Sequence, residues 1–219
     1  MSARIRLTTF NWVPPLAQGL VKDLRVRWAL EEAGLAYEEK LIALGDKDGA
    51  AHRSLQPFGQ VPVYEDGDLT LFETGAIVLH IGERCQALLP RDSARRARTM
   101  TWMFAALNSV EPDVQNLATL DLFFANEEWA KVRRPAAEKM AQSRLDGVAA
   151  ALAGRDYLEQ EFTAGDLMMV TVLRILRHTR LVADNPVLSA YQARCEARPA
   201  FRRALAAQLG RYARYAPAA

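Results

Sequence analysis

Apolar and polar residues alternate from Ile5 to Phe10, the period of a strand with one covered face. A loop carrying Pro14, Pro15 and Gly19 interrupts the pattern. The period then becomes helical: Val26, Ala29, Leu30 and Ala33 share a face, and Gly34 stands where a helix C-cap belongs. Tyr37 to Leu44 again reads as a strand, so strand, helix and strand predict a parallel crossover unit. Gly45 to Gln56 is polar and glycine-punctuated, a loop with a short helix. Val61 to Tyr64 predicts a third strand, Glu65 to Asp68 a turn helped by Gly67, and Leu69 to Phe72 a fourth strand. A helix then starts abruptly near Thr74, whose hydroxyl is suited to cap backbone N–H groups.

Strand signals stop after Gly82. The segment Leu88-Leu89-Pro90-Arg91-Asp92 reads as a linker, with Ser93 as the expected cap of a long helix to about Leu117, bent or broken near Pro112. Asn126 is the expected cap of a helix reaching about Ala153, in which Pro135 marks either a kink or a restart. Thr163 and Asp166 have the spacing of a capping box, flanked by Phe162 and Leu167 as a hydrophobic staple. The run Met168 to Leu173 is apolar on nearly every face, as a fully buried helix requires. Asn185-Pro186 and Arg198-Pro199 each open a further helix. The chain therefore divides into an α/β part over residues 1–84, a linker over 85–92 and an all-helical part over 93–219.

Composition narrows the function classes. The chain has 219 residues, half of them hydrophobic, enough for one large domain or two small ones with a sizeable core. A net charge of +2 gives no electrostatic case for nucleic acid or a membrane surface. No apolar run reaches the roughly 18 residues of a spanning helix. The start, Met1-Ser2-Ala3-Arg4-Ile5-Arg6, lacks the apolar core of a leader. Cys85 and Cys195 lie far apart and read as free thiols of a reducing cytoplasm. His52, His80 and His178 share no metal-ligand spacing with them, so no metal is expected.

The stretch Gln60-Val61-Pro62, a hairpin, then Glu73-Thr74-Gly75-Ala76-Ile77 resembles the glutathione-binding core of the cytosolic glutathione S-transferases. The order of elements up to Gly82 is that of the thioredoxin-like domain, and the boxed, buried helix after Thr163 resembles the same family. The resemblance implies an N-terminal thioredoxin-like domain followed by a C-terminal helical bundle. It implies a cis Val61-Pro62 bond and a Val61 backbone that pairs with the cysteinyl part of glutathione. It also implies that Glu73 and Thr74 hold the γ-glutamyl group. Physical chemistry supports these roles: a helix N-terminus favours a carboxylate, and a carboxylate such as Glu73 pairs with an ammonium group. Gln60 or His52 would meet the glycyl carboxylate. No Cys-x-x-Cys follows the first strand, which excludes ordinary thioredoxin chemistry.

Such an enzyme must favour the thiolate of glutathione, whose free thiol has a pKa of about 8.5. The family places a Tyr, Ser or Cys after the first strand; from Thr8 to Trp28 this chain has none. Thr9-Phe10-Asn11 resembles the Thr-x-Asn of the bacterial nu-type transferases, which names Asn11 first and Thr9 second as donors to the sulfur. Asn11 otherwise turns the chain. Trp12 either lines a site or packs on its own domain, and Trp102, Met103 and Phe104 fit core packing better than a pocket. The charges at Arg95, Arg96 and Arg98 read as a solvated helix face.

The expected function is activation of glutathione for attack on an apolar electrophile, as in detoxification, or for disulfide exchange. The alternatives are a glutathione-dependent isomerase or a non-catalytic interaction module of the same fold. A cytoplasmic homodimer, with no nucleic-acid or membrane partner, completes the expectation.

Overall fold

A computed structural model describes residues 5–217. Met1 to Arg4, part of the segment read as lacking a leader, lie outside the described residues. The described residues form two compact units, 5–88 with 198–217 and 89–197. The first is a thioredoxin-like α/β layer and the second an all-helical bundle.

The first unit is built on a four-stranded sheet. Strand β1 (Ile5–Phe10) pairs in parallel with β2 (Tyr37–Ile42), and helix α1 (Asp23–Ala33) makes the crossover between them. Gly34 ends α1 at φ 65°, a left-handed position that any side chain would strain. A short helix α2 (Ala50–Arg53) leads to β3 (Val63–Asp66), antiparallel to β1, and β4 (Leu69–Leu71) pairs with β3 at the edge. The third strand starts two residues later than the hydrophobic pattern predicts, because Val61–Pro62 is a cis bend and Pro62 has no N–H for a ladder. It also runs further, so the turn shrinks to Gly67-Asp68, with Gly67 at φ 61°.

Helix α3 (Thr74–Gly82) packs on α1 beneath the sheet. The last helix, α9 in chain order (Pro199–Arg214), belongs to the expected segment 93–219 but packs on α1 of the first unit. Trp28 of α1 meets Phe201 edge-to-face, with ring centroids 4.8 Å apart. Beside them, Arg198 clasps Glu32 through two hydrogen bonds of 2.6 and 2.8 Å.

In the second unit, α4 (Ser93–Phe104) is capped by Asp92, which accepts from the Arg95 N–H at 2.8 Å; Ser93 is already the first helical residue. The long helix expected here opens into a π-helical stretch, Ala105–Val110, and resumes as α5 (Glu111–Phe123). Pro112 has no N–H to return to the preceding turn, which accounts for the break. Helix α6 (Glu128–Ala151) begins after Glu127 rather than after Asn126, and it runs unbroken through Pro135.

All ten residues of α7 (Ala164–Leu173) are buried, as the apolar run demands. Gly165 lets it approach α4: a Cβ there would stand 2.8 Å from that of Trp102. The capping box is complete. Thr163 accepts from Gly165, and Asp166 accepts from the Thr163 N–H at 2.9 Å. The other Asp166 oxygen accepts from the Leu158 N–H and the Tyr191 hydroxyl, both at 2.9 Å, tying in α8 (Pro186–Glu196). Arg95 and Arg98 form ion pairs with Glu161 and Glu159. Met103 is core, whereas Phe104 is exposed.

Candidate functional site

The residues named from the sequence fall on the first unit. Val61 is buried, yet its backbone N–H and C=O make no hydrogen bond among the described residues. It is followed by the cis bond to Pro62, and Val63 then joins the ladder opposite Thr8. Such a backbone has its pairing capacity free for an extended ligand.

Glu73 is the N-cap of α3 and stands at φ 67°, ψ 114°, a conformation that costs a non-glycine residue about 1–3 kcal/mol. Its carboxylate is exposed and makes no hydrogen bond or ion pair among the described residues. The cap is therefore not the Thr74 hydroxyl expected from the sequence, since Thr74 is the first helical residue and no side chain caps α3. The Thr74 oxygen instead accepts from the guanidinium of Arg25 at 3.2 Å. The first N–H groups of α3 are left to point at whatever docks beside Glu73.

Gln60 is exposed, and its backbone is held from two sides. Its carbonyl lies 2.7 Å from the ring nitrogen Nε2 of His52, and its N–H donates to the side chain of Gln56. His52 is buried in that contact and braces the loop, so Gln60 is the member of the pair that faces solvent.

At the end of β1, Asn11 donates its backbone N–H to the Ile42 carbonyl at 2.9 Å. Its side-chain amide is half-buried and makes no hydrogen bond among the described residues. Thr9 is sealed from solvent, with its hydroxyl 3.5 Å from Arg211 of α9. Trp12 packs on the apolar cluster of Phe10, Val13, Val61 and Tyr212. Asp23 in the first turn of α1 is buried and paired with Arg27 at 2.6 Å.

Three residues here were missed by sequence reasoning: Arg25, Arg211 and Tyr212. Arg25 and Arg211 are buried cations, and Tyr212 closes the apolar cluster under Val61. Burial, with Asp23 next in effect, pushes the Tyr212 phenol far above its ordinary range, so it stays neutral. Among the described residues, no group of three or more His, Cys, Asp or Glu is arranged to hold a metal.

The family sequence model for the N-terminal domain of glutathione S-transferase matches residues 7–83. Glutathione S-transferase 3 of Zea mays is 32% identical over 88% of this chain and 91% of its own length. The solved theta-class glutathione S-transferase of Xanthomonas axonopodis pv. citri, which has glutathione bound, is 28% identical, with a TM-score of 0.75 over 94% of this chain and 98% of that one. A glutathione transferase of Burkholderia graminis, solved with two glutathione molecules per subunit, is 25% identical, with a TM-score of 0.81 over 93% of this chain and 88% of its own. On its sequence and on its fold, this chain belongs to the glutathione S-transferase family.

Proposed function

We propose that the protein is a glutathione transferase whose first unit binds the tripeptide as an added strand. The observation that carries this reading is the unpaired backbone of Val61, together with the strained, unengaged Glu73 at the N-terminus of α3. The Val61 backbone pairs with the cysteinyl residue. Glu73 takes the γ-glutamyl ammonium, Thr74 and the α3 N-terminus take its carboxylate, and Gln60 faces the glycyl carboxylate.

Asn11 then donates its amide to the sulfur, lowering the thiol pKa from about 8.5 toward neutrality. Thr9, buried behind it, acts through the position of the strand end. The Thr9-Phe10-Asn11 resemblance supports a nu-type reading of this chain. The thiolate attacks an apolar electrophile, or a disulfide in the exchange variant of the same chemistry.

On this reading residues 1–84 form the glutathione domain and 93–219 the helical domain, with α9 returning to brace the first. The working form is a cytoplasmic homodimer with no nucleic-acid or membrane partner. No helix among the described residues is long and apolar enough to cross a membrane.

Calorimetry with glutathione tests the reading, together with turnover of an apolar aryl halide and of a mixed glutathione disulfide. Ligand at about a hundred times its dissociation constant stabilises the fold by about 2.7 kcal/mol. A protein that neither binds glutathione nor turns over either substrate would be an interaction module instead.

A further inference from the structure

The contact between α1 and α3 assigns a role to a residue outside the glutathione contacts. Arg25 is 2% exposed, and its Nη1 donates to Thr74 Oγ1 across 3.2 Å. It is the one side chain bonded to that hydroxyl among the described residues. A guanidinium has donors only, so it occupies a lone pair of the hydroxyl and never its proton. The proton must then point away from Arg25. A threonine inside a helix would return that proton to a carbonyl one turn earlier. Thr74 is the first residue of α3 and has no such carbonyl behind it.

We propose that Arg25 is a positioning residue that sets Thr74 as a hydrogen-bond donor toward the carboxylate of the γ-glutamyl group. The inference rests on the glutathione reading above. The buried guanidinium fixes the polarity of the hydroxyl and adds its charge to the positive end of α3. The N–H groups of α3, the Thr74 hydroxyl and the Arg25 charge thus favour the same ligand group, an anion. Glu73, exposed and on the outer side of the cap, is left to the ammonium of the same residue. A zwitterionic α-amino acid end is the ligand this arrangement discriminates best. A γ-linked peptide that lacks either charge loses one half of the recognition.

The experiment compares two ligands on the intact chain by calorimetry. One is glutathione; the other is γ-aminobutyryl-cysteinylglycine, which lacks only the carboxylate. The wild type is expected to bind glutathione at least about tenfold more tightly, the scale of a charge-assisted contact. Arg25→Met should lower glutathione affinity about tenfold and leave the analogue within about twofold, because only the carboxylate contact depends on Arg25. Equal losses for both ligands would reduce Arg25 to a packing role and overturn the inference.

A wild type that binds both ligands equally would also overturn it, with the glutathione reading intact. A wild type that binds neither removes both. Should Arg25→Met fold poorly, Arg25→Lys keeps a buried cation, and Thr74→Val serves as the background. Arg25→Lys should weaken glutathione in the wild type and have no further effect with Thr74→Val. Additive losses would count against the coupling.

Discussion

Gln208 of α9 donates to Asp23, in the first turn of α1, across 2.5 Å. The same side chain accepts from the Gly19 N–H at 3.1 Å and donates to the Val21 carbonyl at 3.2 Å. One fully buried amide therefore clips the loop that follows Asn11 to the end of the chain. Gln208→Ala is expected to cost about 2–4 kcal/mol in denaturant unfolding, from the buried hydrogen bonds it removes. Gln208→Glu should cost more, because a carboxylate cannot donate to Asp23 and adds a like charge beside it. Unfolding midpoints at wild-type values would show that the loop holds itself.

How legible these features were depends on how local they are. The capping box at Thr163 and Asp166 could be read directly, because both partners lie within one turn. Ile5–Phe10 could be read because alternation is a property of the strand itself. Val61, Glu73 and Thr74 are named as glutathione contacts by family resemblance alone; spacing by itself leaves a hairpin and a helix. What escaped depends on long-range pairing. Gln208 and Arg211 sit in a helical pattern that says nothing of which partner the helix chooses, and they meet Asp23 and Glu39 from the far end of the chain. Arg25 reads as a polar-face charge until α3 covers it. The Tyr191 hydroxyl on Asp166 was equally invisible, since nothing near residue 166 points to residue 191.

In the proposed binding mode Glu73 trades stability for binding. Its backbone stands at φ 67°, where glycine, lacking a Cβ, would be less strained. Glu73→Gly should therefore leave the melting temperature of the free protein equal or higher, while the shift produced by glutathione is largely lost. Glu73→Gln keeps the strain and should weaken glutathione by about 1.5–3 kcal/mol, the worth of a charge-assisted contact. Undiminished affinity in both variants would remove Glu73 from the site.

For Asn11 the expected signature is kinetic. An amide N–H is a weaker donor than a phenol. Asn11→Ala should lower turnover by about one to two orders of magnitude, the range for removing one electrostatic donor. Glutathione affinity should stay near wild type, because in the proposed binding mode Val61, Glu73 and Thr74 hold the tripeptide. Thiolate absorbance of the bound ligand should report a higher pKa, moving the pH-rate profile upward. If rate and thiol pKa are both unchanged, Asn11 only turns the chain.

Alkaline stability follows from the buried phenols. Burial, with Asp66 beside it, pushes the Tyr64 phenol up to about 12. Burial together with Asp166 holds Tyr191 well above the ordinary value of 10.0, and Tyr212 is raised in the same direction. In each case the native state keeps a proton that the unfolded chain releases near pH 10, so the unfolded state binds fewer protons above that point. The stability Tyr64 contributes is whole below about pH 10 and is lost as the pH climbs through about 12, while the contributions of Tyr191 and Tyr212 are lost at still higher pH. Denaturant unfolding across that window should show stability falling with pH, and Tyr64→Phe should flatten the fall by removing one of the groups. Tyrosinate absorbance of the native protein should lag behind that of the unfolded chain. A native titration that follows the unfolded one, with the far-ultraviolet signal intact, would mean that water reaches these hydroxyls. The assigned burial of Tyr64, Tyr191 and Tyr212 would then be wrong.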